Sequence, residues 1–237
     1  MATITDRGDL WDTSNNTAHS LPSFTANADD LIVVVHGMSG WASGDTSLIT
    51  DNQGGAYTQI GANPLSTGGG TNGALWISIR TTLIGAVAVI ITETPTGSTG
   101  SGLTAYTVAG MTRTGADAAL QNNGESTQTE NPPVIAFGNA TLTANPIVLA
   151  VFGEDNPPAL TAPTGFTETF DSGWATPTSG IEVCFVNSGQ TASSYSWTGG
   201  NLADHNEVGV ELDTSAAPTG WGPLLGLRNN RLVASVN

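Results

Sequence analysis

The sequence contains no lysine, and its five basic residues, all arginine, face 20 acidic ones, for a formal net charge of −15. So few cations cannot build the clustered positive surface that phosphate backbones require, so neither nucleic acid nor an anionic membrane is expected as a partner. A single cysteine, Cys184, excludes an internal disulfide framework. It sits in the β-like run Gly180-Ile181-Glu182-Val183-Cys184-Phe185 and reads as a small buried hydrophobe, because a reactive thiol needs a polar or cationic niche. Long apolar runs are missing too: the longest, residues 83–91, holds about nine residues, whereas a bilayer span needs about 20. Met1 leads into Ala2-Thr3-Ile4-Thr5-Asp6 with neither a basic nor an apolar leader pattern, so no secretory leader is expected and the chain reads as soluble. Charged residues are only 11% of the chain, too few for a disordered polyanion or a coiled coil. No stretch of about twelve residues keeps a 3.6-residue apolar period, so any helix is expected to be a single turn.

What is present is glycine, 30 residues of 237, with much Thr, Ser, Asn and Ala. That composition suits short strands joined by turns. Leu31 to His36 is a near-continuous apolar run, as in a fully buried central strand. Residues 56–60, 75–80, 86–92 and 103–108 complete a first group, separated by turn clusters such as Asp51-Asn52-Gln53-Gly54-Gly55. Residues 112–132 are polar and aperiodic and read as a surface connection. A second group follows at 134–137, 147–152, 166–170, 181–186, 195–198 and 208–212.

The two groups look alike. Ala28 to Gly37 matches Ala144 to Gly153 at an offset of 116, which sets His36 against Phe152; Ala56 to Ile60 resembles Gly165 to Thr169, and Gly73 to Ile79 resembles Ser179 to Phe185. The preserved order suggests an internal duplication, with pseudo-repeats over about 20–111 and 133–213. The expected fold is all-β: one antiparallel, jelly-roll-like β-sandwich over residues 20–213, to which each half supplies part. Two independent barrels of about 100 residues are the alternative. Residues 1–19, with Trp11 among three aspartates, are expected as an N-terminal arm. Residues 214–237, carrying Trp221, Leu224, Leu225, Leu227, Arg228 and Arg231, are expected as a C-terminal arm or last strand. An apolar, relatively basic tail on an acidic body sits poorly in water alone.

Chemistry-bearing patterns are sparse. Val33-Val34-Val35-His36-Gly37-Met38 resembles a hydrolase oxyanion-hole loop, but no G-x-S-x-G nucleophile elbow occurs in the chain. His19, His36 and His205 lack the spacing of a zinc site. The acidic turns at Asp51-Asn52 and Glu154-Asp155-Asn156 lack EF-hand spacing and read as solvated. Glu168 and Glu182 fall on neighbouring expected strands, close enough for a glycosidase pair, yet they fit an exposed sheet face equally well. No metal, cofactor or catalytic residue is therefore expected. Of six tryptophans, Trp76 and Trp197 read as core, whereas Trp41 and Trp174 follow strands and could stack on a sugar or anchor a partner.

The segments ADDLIVVVHG, TDNQGGAYTQIG and GALWISI, then PIVLAVFGEDN, TAPTGFTETFD and SYSWTG, resemble a β-sandwich domain of tailed-phage structural proteins and bacterial surface proteins. The resemblance covers residues 20–213 and departs at the first hairpin, where Gln53-Gly54-Gly55 replaces Gly-Asn. It implies a non-enzymatic virion protein on the particle exterior: a capsid decoration, head spike or fibre subunit held by its terminal arms. The implied partners are the major capsid or another virion protein, and copies of itself, a trimer being favoured. The alternative is a carbohydrate-binding module or tail adhesin that contacts host glycans through Trp41 and Trp174.

Overall fold

The computed structural model describes residues 1–15, 17–42, 44–60, 73–123, 132–153, 160–175, 178–199 and 205–215. The first half contributes β1 (Thr3–Asp12), β2 (His19–Ser20), β3 (Phe24–Thr25), β4 (Leu31–Ser39), β5 (Ser47–Asp51), β6 (Tyr57–Ile60), β7 (Gly73–Arg80), β8 (Ala88–Val89), β9 (Ile91–Pro95) and β10 (Gly100–Ala109). One 3₁₀ turn, Gly115–Ala118, leads to β11 (Ala119–Asn123), β12 (Val134–Ala136), β13 (Ile147–Gly153), β14 (Thr167–Ala175), β15 (Thr178–Val186), β16 (Ser194–Ser196) and β17 (His205–Leu212). No α-helix occurs among the described residues.

Two five-stranded antiparallel sheets dominate, in the orders β1-β10-β4-β7-β6 and β11-β17-β13-β15-β14. The second order repeats the first strand for strand, so the two halves share one sheet topology, and that topology takes in β1 and β11, outside the expected repeat bounds. The sheets pack face to face. Leu31, Val33, Val35, Ile77 and Ile79 from the first meet Val148, Ala150, Phe152, Ile181, Val183, Val208 and Val210 from the second. The fold is thus the expected all-β sandwich, one large sheet from each half. Each large sheet is also covered on its outer face. The sheet β2-β9-β5 and the pair β3-β8 bury Ile32, Val34, Leu103 and Ala105; the pair β12-β16 buries Ile147, Leu149, Val151 and Cys184. That double burial explains why β4 and β13 are apolar on both faces rather than alternating.

Three expectations are corrected. Residues 1–19 are not an arm: β1 pairs with β10 along its length, with a bulge between Asp6 and Asp9. The segment 112–132 is not only a connection, because β11 forms the edge of the second sheet against β17. The repeat match at β4 is shifted by one residue. Val33 lies opposite Ile79 and Val148 opposite Phe185, so Val33 corresponds to Val148, His36 to Val151, and Gly37 to Phe152. A one-residue slip in a strand sends every side chain to the other face. Phe152, fully buried, rests on the backbones of Gly37 and Gly73; a Cβ on Gly73 would stand 2.5 Å from its ring. Tyr106 and Thr169 join hydroxyls across the layers at 2.6 Å, and the Asn206 amide donates to the Gly73 carbonyl at 2.9 Å.

Candidate functional site

Several polar residues of the described chain gather in buried clusters. The largest lies under the outer face of the first sheet, where β4, β7 and β9 present His36, Ser78 and Glu93. His36 stacks on Trp76 with ring centroids 5.1 Å apart. Its Nε2 meets Ser78 Oγ at 2.9 Å and its Nδ1 meets Ser47 Oγ at 2.8 Å. Ser47 donates to Glu93 Oε1 at 2.6 Å, and Glu93 Oε2 pairs with His19 Nε2 at 3.0 Å. Serine, histidine and glutamate are thus linked as in a nucleophilic triad. However, Ser78 is 4% exposed and both His36 and Glu93 are sealed, so no acyl group can reach the hydroxyl. The cluster binds the three-stranded layer to the large sheet. Burial works against the Glu93 carboxylate, but the neighbouring His19 and His36 outweigh it and hold the group below its ordinary value. Burial likewise opposes a charge on His19, and Glu93 again prevails, raising the imidazole.

The hairpin motif that carries the resemblance is also structural. At the end of β5, one oxygen of Asp51 caps the amides of Gln53 and Gly55 at 2.9 and 2.8 Å. The other accepts from Arg80 Nε at 2.8 Å and the Tyr57 hydroxyl at 2.9 Å. In the second half, buried carboxylates staple loops to β17. Glu211 accepts from Gln121, the Leu142 amide and Asn145 at 2.6, 2.8 and 2.8 Å; Glu207 accepts from the Val134 amide at 2.7 Å and His205 at 3.1 Å.

A different cluster lies on the outer face of the second sheet. Asp171 on β14 stands directly opposite Glu182 on β15, and Glu168 opposite Cys184, with a bulge between Glu168 and Phe170. Three positions apart, Glu168 and Asp171 would face opposite ways on a regular strand. The extra residue turns both to the side of Glu182. One carboxylate oxygen from each of the three lies within 4.8 Å of the others. Burial first, then Asp171 and Glu168, pushes Glu182 up to about 9, and Glu168 is raised by burial and by Asp171. The paired carboxylates expected from sequence are therefore close, with Asp171 as an unanticipated third member. Only the bulge creates that third position, and no residue type announces it. Glu93 was also missed, although the alternation Ile91-Thr92-Glu93-Thr94-Pro95 places it on the buried side with Ile91.

Trp41 does not stand free. It is 9% exposed, packs with Met38, Ala74 and Trp76, and donates its indole N–H to the Asp45 carbonyl at 3.2 Å. Trp174 lies in β14 opposite Ser179 on β15. Trp11 is half-buried against the inter-sheet core, over Gly102 on β10. Trp76 and Trp197 are core, as expected, and Cys184 is a buried free thiol that burial pushes up. Glu154, Asp155, Trp221, Leu224, Leu225, Leu227, Arg228 and Arg231 lie outside the described residues. Among the described residues no helix is long and apolar enough to cross a membrane. No protein family, characterised protein or solved structure matches the chain.

Proposed function

We propose that this protein is a non-enzymatic structural component of a virion, a capsid decoration, head spike or fibre subunit of a tailed phage, attached through its C-terminal segment. The observation that carries the reading is the frame itself. Two copies of one sheet topology are stacked through their large sheets, and the triad-like histidine cluster is consumed in holding the three-stranded layer on the outer face of the first. What faces outward is strand edges and turns on a body of high negative charge, a surface suited to display rather than turnover. Attachment falls to the C-terminal side because β1 is committed to the first sheet. The last described residues are tied down beside the start of the second half: Arg113 pairs with Asp213 at 2.8 Å and Thr112 donates to the Ser215 carbonyl at 3.0 Å. The leucines and two arginines of 216–237 follow directly.

Light scattering of the full chain and of a chain ending at Ser215 tests the proposal. A trimer that falls to a monomer on shortening supports it. A monomer in both forms overturns assembly through the tail and leaves the glycan-binding alternative, which glycan-array binding of the parent and of Trp174→Ala then decides.

A further inference from the structure

Every buried carboxylate cluster described above has its partners except one. Asp51 has Arg80, Glu93 has two histidines, and Glu207 and Glu211 take amide and histidine donors. Glu182 is 1% exposed. Among the described residues its Oε1 accepts only the Leu160 amide at 3.1 Å, and none of them donates to its buried Oε2. Facing it are two more carboxylates, Glu168 and Asp171. No described arginine is available to neutralise them: Arg7 is held by Thr107 and Phe24, Arg80 by Asp51, and Arg113 by Asp213. The chain has no lysine. The repeat sharpens the point. Glu182 lies opposite Val151 as Trp76 lies opposite His36, so the second half carries a carboxylate where the first carries a packed indole.

We propose that Glu168, Asp171 and Glu182 bind a hard divalent cation of the calcium class on the outer face of the second large sheet, with Glu182 as the buried ligand. All three offer oxygen, the donor such ions prefer. Calcium–oxygen bonds of about 2.3–2.6 Å put opposite ligands about 4.6–5.2 Å apart, so three oxygens that all lie within 4.8 Å of one another can share one such ion. Magnesium demands near-ideal octahedral geometry at about 2.0–2.1 Å and dehydrates reluctantly, so the larger ion is favoured. Glu168 and Asp171 are exposed, so water completes the shell and the cation enters from solvent. The ion would fasten β14, an edge strand of the second sheet, to its neighbour β15.

The test is thermal unfolding of the full chain after chelation, with calcium or magnesium added back, paired with calorimetric titration. Calcium is expected to bind with Kd of about 0.1–1 mM, as in weak extracellular sites. At about 100 times Kd it should raise Tm by about 5–10 °C, with a smaller rise for magnesium. Asp171→Asn and Glu168→Gln change exposed side chains and keep the fold; each should remove most of the rise. Glu182→Gln should abolish it while leaving the cation-free Tm unchanged or higher. A Tm indifferent to both ions overturns the proposal, as does a calcium response of parental size in Asp171→Asn and Glu182→Gln. These outcomes are independent of the tail and of oligomeric state.

Discussion

At the scale of single residues, a constellation that looks catalytic is distinguished from one that is structural by burial rather than by distance. Ser78, His36 and Glu93 are spaced for proton relay, but the surrounding layers leave no space for a substrate. Their effect should appear in stability against pH. Glu93 is held low, so its contribution is complete above its ordinary value of 4.5 and is lost as pH falls through its folded value. His19 is raised, so its contribution is complete below 6.5 and is lost as pH rises through its folded value. The pair therefore stabilises most between about pH 4.5 and 6.5. In melting experiments, His19→Gln should lose the most relative to the parent near pH 5.5, and the gap should narrow by pH 8.5; an equal gap at both would show that the ion pair adds nothing. Asp51 is a second residue whose motif invites a functional reading and whose contacts are all internal. Asp51→Ala strips Arg80 of its buried counter-charge and frees two hairpin amides. A loss of about 3–5 kcal/mol in urea unfolding is expected, and a loss below about 1 kcal/mol would place the pair in the class of exposed bridges.

At the scale of elements, the interior strands and the edges β6 and β14 are legible in the sequence, whereas the edges β1 and β11 are not. β4, β7, β10, β13 and β15 carry apolar runs because both of their faces are covered. β1 escapes a period-2 reading for a definite reason. Ile4 faces the inter-sheet core, and the phase would then bring Leu10 to the same side. The bulge at Arg7 and Gly8 reverses the phase, so Trp11 faces inward and Leu10 joins the outer cluster. Double burial also explains the slipped repeat match: Leu31 to Val35 is apolar throughout and offers no alternation to fix which face is which. Only the partner strands settle it. The acidic triad was half legible, since Glu168 and Glu182 are on neighbouring strands whereas Asp171 depends on a bulge. The place of β1 has a consequence that an arm would not have. Removing residues 1–12 bares the hydrogen-bonding edge of β10 and takes Ala2, Ile4 and Trp11 from the core. The shortened chain should lose its cooperative melt or aggregate; a parental melt would return these residues to the status of an arm.

At the scale of the whole molecule, the question is whether two copies of one topology make two units or one. The faces that meet at the centre are apolar over most of β4, β7, β13 and β15, and an isolated half would expose them as one continuous patch. Complementarity across that plane is specific. Phe152 fills the space left by Gly37, its own counterpart in the repeat, and by Gly73. Polar contacts at Tyr106–Thr169 and Asn206–Gly73 fix the relative position of the sheets. Residues 1–112 and 113–215, produced separately, should therefore fail to give soluble monomers with cooperative melts, and produced together should form a one-to-one complex. Phe152→Ala should cost about 3–5 kcal/mol, the range for emptying a buried aromatic site, and should weaken that complex in step. Gly73→Val, which drives a side chain into the same ring, should cost about 1–3 kcal/mol by overpacking. If either half melts cooperatively as a monomer, or if Phe152→Ala destabilises one half without loosening the complex, then the duplication joined two complete domains. In that case the central plane is an interface rather than a core.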